Sequence, residues 1–229
     1  MTVQLPQDGF AVVRLSKVAE DQTVLDQLIR CFIGAFNATG ENEWGETWTE
    51  ETARHRLVIA PGDEIERTNV AAWCKDGKML GFALTLVGDP GVLVRESDMP
   101  PGHNDSASVE AVRRNLDWLA GPIAKLMYGR EVAIPPENRA KSDIRPVQGL
   151  MYHSVHAALL EGADYFITWI IKGCNVYPIY LGIGTEIVFD FMDAKRHMFV
   201  GTRTLQATRR LSSPPKEFVK MIAERSRWG

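Results

Sequence analysis

The feature that most constrains the fold is a helix that stands between two strand-like runs. Residues 131–134 (Glu-Val-Ala-Ile) have the composition of a short strand, and residues 165–171 (YFITWII) have that of a buried one. Residues 146–161 carry apolar side chains at helical spacing, and Gly162 follows, as glycine often does at a helix end. A strand, a helix and a strand in this order predict a parallel crossover and hence an α/β sheet.

Two further segments predict antiparallel hairpins, which would make this sheet mixed. In residues 69–87 two apolar runs flank Asp76 and Gly77, and Asp-Gly between β-rich runs is a strong hairpin signal. Residues 186–192 and 197–204 have a similar layout around a polar turn. The same patterns predict a first strand over 10–18, helices over 21–37 and from Thr49 onwards, and a short helix over 175–181 broken by Pro178.

Residues 88–129 look like an excursion inserted between two strands. Their first half is rich in Gly, Pro, Asp and Ser, which is typical of a loop. Their second half has apolar residues at helical spacing: Val109, Val112, Leu116, Leu119 and Ile123. A long excursion of this kind is either a functional lid or substrate wall, or a surface insertion, and the sequence leaves both interpretations open.

Composition is that of an ordinary globular protein. The chain has 229 residues, of which 45% are apolar, so we expect a single domain over residues 1–229. A formal net charge of −3 argues against a nucleic-acid partner bound through bulk charge. Three cysteines without a close pair, no secretory signal pattern and no long apolar run predict a reduced, cytoplasmic protein without a membrane partner.

Four segments, taken in order, resemble the GNAT acyltransferase superfamily between about residues 10 and 204. They are the hairpin VAAWCKDGKMLGFALTL with Gly81 after its turn; EVAIPPENR, which is similar to the family's central strand and the residues that leave it; the helix end LLEGAD; and IYLGIGTEIVFDF before the last hairpin. The resemblance implies a GNAT-like mixed, partly splayed β-sheet of about seven strands flanked by helices, with the excursion as an insertion.

The resemblance also implies a site for acyl-coenzyme A as co-substrate. The pantetheine arm would pair with the main chain of Val132, Ala133 and Ile134, and the pyrophosphate would lie at the start of the following helix, where free N–H groups favour anions. The residues expected around the phosphates are Arg139, Ala140, Lys141, Ser142, Asp143, Ile144 and Arg145, with Asn175 as a further coenzyme contact.

This loop departs from the family at Ser142 and Ile144, which stand where the family has glycines. Glycine lets the backbone approach phosphate oxygens closely, and a β-branched side chain obstructs that approach. Three interpretations stay open: an altered grip on coenzyme A, an acyl-carrier-protein donor, or loss of coenzyme A binding. The basic loop residues are also explained by ordinary solvated surface charge.

Acyl transfer to an amine needs a base, an oxyanion donor and an acid for the departing thiolate. By resemblance Tyr180 is the acid. The alternatives are that Tyr180 is an ordinary packing residue, or that Tyr177 takes the role of the acid. Glu131 is the candidate base, with an ion pair to Arg130 or another cation as the alternative. The oxyanion donor would be a backbone N–H near Ala133 or Ile134.

Aromatic residues suggest where the acceptor would bind. Trp44 and Trp48 lie between the first two helices, where the family builds its acceptor wall, and Trp118 lies in the excursion. His153 and His156 share a helix side, but no further ligand completes a site, so we expect no metal.

The resulting hypothesis is an N-acyltransferase, or an O-acyltransferase, that acts on a small-molecule acceptor. Its alternatives are an acyl-carrier-protein-dependent acyl transferase or synthase, and a catalytically inactive ligand-binding relative. A predicted C-terminal helix over about 213–226 either packs within the chain or forms a homodimer.

Overall fold

The computed structural model describes residues 3–38, 47–59, 62–89, 94–95, 99–100, 102–120, 125–139, 145–172 and 177–213. Within these ranges, no helix is both long enough and apolar enough to cross a bilayer. The predicted C-terminal helix lies outside the described residues, apart from Ser213.

The described strands form one mixed seven-stranded sheet, which confirms the predicted fold class. They are β1 (Gly9–Arg14), β2 (Thr68–Lys75), β3 (Lys78–Gly88), β4 (Leu126–Ala133), β5 (Tyr165–Ile171), β6 (Glu186–Asp190) and β7 (His197–Arg203). Their order in the sheet is β1-β2-β3-β4-β5-β7-β6. Strand β4 pairs with β5 in parallel, as the crossover predicted, and β5 pairs with β7 antiparallel.

Helices precede, interrupt and follow these strands. They are α1 (Leu15–Glu20), α2 (Gln22–Phe36), α3 (Glu50–Arg54), α4 (Ser106–Ala120), α5 (Arg145–Leu160), α6 (Tyr177–Gly182) and α7 (Thr204–Ser212). A π-type turn over His55–Ile59 continues α3, and 3₁₀ turns cover Gly62–Glu66 and Pro136–Asn138.

The chain divides into two compact units. The first comprises residues 1–85 and 130–154, and the second comprises residues 86–129 and 155–229. Their boundaries fall inside β3, β4 and α5 rather than in loops. That the whole chain behaves as one domain stays a prediction.

In the first unit, α2 buries one apolar face. Leu28, Ile29 and Phe32 are at most 1% exposed, as the spacing of an amphipathic helix requires. Burial of each such side chain contributes about 1.5–3 kcal/mol. The helix starts at Asp21, whose carboxylate accepts a hydrogen bond from the Val24 amide, because the first helical N–H groups have no partner within the helix.

In the second unit, the excursion contributes to the core. Val112 and Leu116 of α4 are fully buried and belong to the same apolar cluster as Tyr165 of β5 and Phe199 of β7. The side-chain amide of Asn115 donates to the Val188 carbonyl at 3.0 Å. The helical half of the excursion is therefore a packed structural element of this unit.

Three element predictions need correction. Residues 15–18 are helical, because Leu15 and Val18 are buried three residues apart and strand β1 ends at Arg14. Residues 126–129 were predicted as the end of the excursion, but they form the start of β4. A short apolar run is compatible with a helix or a strand, and here it pairs with β5. Helix α7 follows β7 directly and was not predicted.

Candidate functional site

The parallel pairing of β4 with β5 is short. Its register covers Leu126–Tyr128 and Tyr165–Ile167, whereas β4 continues to Ala133 and β5 to Ile171. Beyond the register, the Thr168 hydroxyl donates to the Gly129 carbonyl at 2.8 Å, so a side chain takes over from the main-chain ladder. The family resemblance implied a partly splayed sheet, and the parallel ladder ends at Tyr128 and Ile167.

The end of β4 lies very close to β3 at one glycine. A Cβ atom at Gly81 would lie 2.8 Å from Ile134 Cγ1 and 3.0 Å from the Ala133 carbonyl oxygen. Ala133 and Ile134 are both buried. A side chain at position 81 would therefore displace two of the three residues that the family resemblance assigns to the coenzyme arm.

Arg139 lies six residues after the end of β4, and its side chain contacts the segment that directly follows the strand. Its Nε atom donates to the Ile134 carbonyl at 2.6 Å, while the Asn138 side chain donates to the Leu80 carbonyl at 2.9 Å. The other predicted phosphate contacts, Ala140, Lys141, Ser142, Asp143 and Ile144, lie outside the described residues, as does Asn175. Arg145 begins α5.

The predicted base, Glu131, is half-buried on β4 and ion-paired. Arg56 donates to its carboxylate at 3.0 Å; the Glu131 side chain is 14% exposed and the Arg56 side chain is 50% exposed. The neighbouring Arg130 instead pairs with buried Glu64. The sequence allowed for an ion pair at Glu131, but it gave no signal for Arg56, which lies 75 positions away.

The predicted acid, Tyr180, is buried on α6. Its ring stacks on Phe166 of β5, with centroids 6.0 Å apart and planes 15° apart. Its carbonyl accepts from the Thr185 hydroxyl at 2.8 Å, which fixes the end of the helix. Pro178 does not break α6, because a proline in the first turn removes no hydrogen bond.

The predicted acceptor-binding tryptophans have different surroundings. Trp48 packs edge-on against Phe32, with centroids 5.0 Å apart, and its main chain pairs with the Asn37 side chain. Trp118 lies on α4 with 83% of its surface exposed. Trp44 lies outside the described residues.

An open groove of about 490 Å³ in the first unit adjoins the segment after β4. Its lining combines two cations with two carboxylates, so its charge alone does not select an anion. The lining residues are Thr23, Asp26, Gln27, Arg30, Cys31, Lys78, Met79, Pro135, Glu137 and Asn138.

The cysteines that the structure describes are buried thiols. Burial, with smaller effects of Glu137 and Cys74, raises the pKa of Cys31 to about 12. Burial also raises the pKa of Cys74 to about 11. Thiolates are the nucleophilic form, so neither group suits nucleophilic catalysis at neutral pH.

A cluster that the sequence did not predict lies in the second unit. His103 Nε2 and His197 Nδ1 lie 2.9 Å and 2.5 Å from the same oxygen of Asp193. Desolvation raises the pKa of Asp193, but hydrogen bonds from His197 and His103 outweigh it and hold the pKa well below its usual range. Asp193 and His197 are four residues apart, but His103 is 90 positions away, so no spacing pattern joins the three.

The sequence matches no protein-family model and no curated protein sequence. Solved structures do resemble the chain. BjaI, described as a CoA-dependent acyl-homoserine lactone synthase and solved with MTA, superposes with a TM-score of 0.55 at 11% identity, over 96% of this chain and 89% of its own. An agmatine N-acetyltransferase gives 0.52 at 11% identity, over 86% and 100%. A mosquito arylalkylamine N-acetyltransferase-like protein (5b) gives 0.51 at 14% identity, over 85% and 99%.

At these identities the likeness establishes the fold. This chain has the acyl-CoA N-acyltransferase fold of the GNAT superfamily.

Proposed function

We propose that this chain transfers an acetyl or other acyl group from acyl-coenzyme A to an amine, or a hydroxyl, of a small-molecule acceptor. The acceptor attacks the thioester directly in a ternary complex. The observation that carries the proposal is the short β4–β5 register, because it leaves the last residues of β4 outside the parallel ladder. In this proposal the main-chain groups of Val132, Ala133 and Ile134 hydrogen-bond an extended pantetheine arm.

The residues around the end of β4 fit such an arm in part. Val132, Ala133 and Ile134 supply main-chain groups, although the Ile134 carbonyl already accepts from Arg139. Arg139 lies next to this strand end, and in this proposal its guanidinium binds a phosphate of the coenzyme, because a planar guanidinium matches phosphate geometry. Acyl-coenzyme A, when bound, would supply the activated thioester, and coenzyme A would leave as the thiol.

Three groups of this chain would serve the chemistry. Glu131 takes the acceptor's proton through a water molecule, and a backbone N–H near Ala133 or Ile134 donates to the developing oxyanion. Tyr180 protonates the departing thiolate, a task suited to a phenol with a pKa near 10 in water. Trp48, with Trp44 and Trp118, forms the acceptor wall in this proposal.

A second candidate is acyl transfer that ends in a lactone product. The similarity to BjaI favours it, because that superposition spans 96% of this chain. Incubation with acyl-coenzyme A and S-adenosylmethionine, followed by mass spectrometry, separates the candidates. An acyl-homoserine lactone supports the second, and an N-acylated amine from an amine panel supports the first.

The proposal is tested by ligand-induced stabilisation. Acetyl-coenzyme A, a longer acyl-coenzyme A and free coenzyme A should each raise the thermal midpoint, because a ligand at a hundredfold excess over Kd stabilises by about 2.7 kcal/mol. Arg139→Gln should weaken the shift, while Arg114→Gln, at a 73%-exposed position on α4, should not. If none of the three ligands stabilises the protein, the proposal is wrong.

A further inference from the structure

We propose that His103, Asp193 and His197 form a binding site for a divalent transition metal, Zn²⁺ being the best fit. The proposal concerns the second unit alone and does not depend on the proposed acyl transfer. It rests on the convergence of three ligand atoms from two separate segments of the chain, namely the excursion and the β6–β7 hairpin, in which Asp193 lies in the turn and His197 begins β7.

The ligand atoms already lie near coordination distance of one another. His103 Nε2, Asp193 Oδ2 and His197 Nδ1 all lie within 4.8 Å of each other. Ligands at 2.0–2.2 Å from a tetrahedral metal lie roughly 3.3–3.6 Å apart, so the 2.9 Å and 2.5 Å contacts need to widen by about 1 Å or less. Each imidazole would then present a nitrogen lone pair to the metal, with its N–H on the other ring nitrogen, and the carboxylate would supply an oxygen.

The ligands are oriented by contacts that metal binding leaves intact. The other carboxylate oxygen of Asp193 accepts from the His197 backbone N–H at 2.9 Å. The His103 ring packs against Phe191, with centroids 4.2 Å apart, and the His197 ring meets Trp169 edge-on at 5.8 Å. Such outer contacts hold metal ligands in place and tune their affinity.

The burial pattern indicates a three-ligand site with an open side. His197 is 2% exposed, whereas the side chains of His103 and Asp193 are each 22% exposed. Three protein ligands with one accessible position are typical of zinc sites that bind water or a substrate, and closed four-ligand sites are typical of structural zinc. Two imidazoles and one carboxylate also suit Fe²⁺ or Co²⁺, which makes Co²⁺ a useful probe.

The same contacts would, without any metal, form a hydrogen-bonded network that joins the excursion to the β6–β7 hairpin. The two interpretations differ in what the cluster binds. The network alone has no affinity for Zn²⁺, whereas the proposed site takes one ion per chain.

The test measures metal binding to the tag-free full chain after chelator treatment. Titration with ZnCl₂ against a chromophoric chelator should show one tight site, and CoCl₂ should give visible absorption that Zn²⁺ abolishes. His103→Ala and Asp193→Asn should each weaken binding at least tenfold, in line with the usual effect of disturbing a metal site. His55→Ala, which replaces an exposed histidine outside the cluster, is the matched control and should bind like the wild type.

Buried His197 is left unchanged because its loss endangers folding, and circular dichroism of both variants confirms that they fold. Asparagine at position 193 keeps an acceptor for the His197 amide, so Asp193→Asn removes the charged ligand with little change of shape. The proposal is overturned if the wild type binds neither Zn²⁺ nor Co²⁺ stoichiometrically. It is equally overturned if both variants bind as tightly as the wild type.

Discussion

Arg56 donates a hydrogen bond to the Glu131 carboxylate at 3.0 Å, and the carboxylate is the more buried partner of this pair. Arg56, which lies in the turn after α3, therefore orients the Glu131 side chain of β4. It also makes Glu131 testable by a substitution that preserves the contact, because a side-chain amide still accepts from a guanidinium.

We expect Glu131→Gln to lower kcat about a hundredfold, the lower end of what a general base contributes. Binding of coenzyme A should not change, since the substitution keeps size and the contact to Arg56. Steady-state kinetics and calorimetry measure the two effects. Glu110→Gln, at a 73%-exposed position on α4, is the control. An unchanged kcat would remove Glu131 from the mechanism.

Tyr180→Phe should depress turnover while leaving coenzyme A affinity nearly unchanged. The phenyl ring keeps the stack on Phe166, and only the hydroxyl that would protonate the thiolate is lost. Tyr177→Phe, three residues earlier on α6, distinguishes the two tyrosines that the sequence offered. A loss of turnover confined to Tyr177→Phe would transfer the role to Tyr177.

Gly81→Ala should destabilise the protein by about 1–3 kcal/mol, the usual cost of overpacking. The added methyl group would lie 2.8 Å from Ile134 Cγ1 and 3.0 Å from backbone at Ala133. Gly34→Ala on α2 is the matched comparison, because its nearest contact is 3.3 Å and alanine favours a helix by about 1 kcal/mol. Urea unfolding should show a clearly larger loss for Gly81→Ala, and equal losses would contradict the close β3–β4 approach.

Asp21→Asn should destabilise the protein at pH 7 and lose this effect in acid. Hydrogen bonds from the Val3 and Val24 amides lower the pKa of Asp21 from its ordinary value of 3.8. A carboxyl with a depressed pKa in the folded state contributes stability above its unfolded pKa and loses it as the pH falls through the folded value. Urea midpoints of the wild type and variant should therefore converge below about pH 4, whereas a constant gap from pH 7 to 3 would contradict this cap. Exposed Asp117→Asn is the control.

The sequence predicts best where a pattern is local. The bounds predicted for the strand over 165–171 are correct, because six apolar residues and one threonine follow a helix that glycine ends. The hairpin at Asp76 and Gly77 was also correct, and both residues adopt positive φ, as an Asp-Gly turn requires.

Local sequence patterns do not predict contacts between segments that are distant in the chain. The partner of Glu131 is Arg56, in a π-type turn that no spacing pattern signals. Likewise, His103 lies in a segment that reads as a polar loop, and only the folded chain brings it to Asp193. Trp118 was assigned to the acceptor site from its residue type and its place in the excursion. The sequence gave no way to foresee that its side chain is 83% exposed, and its contact with an acceptor stays a prediction.

The interrupted first unit determines the order in which the growing polypeptide can finish folding. Residues 1–85 emerge from the ribosome well before Ala133 and Ile134, which fill the space beside Gly81, and before Leu150 of the same cluster. At a synthesis rate of about 5–20 residues per second, the nascent N-terminal segment waits several seconds for these side chains. During that interval its unfinished apolar face is a natural client for chaperones.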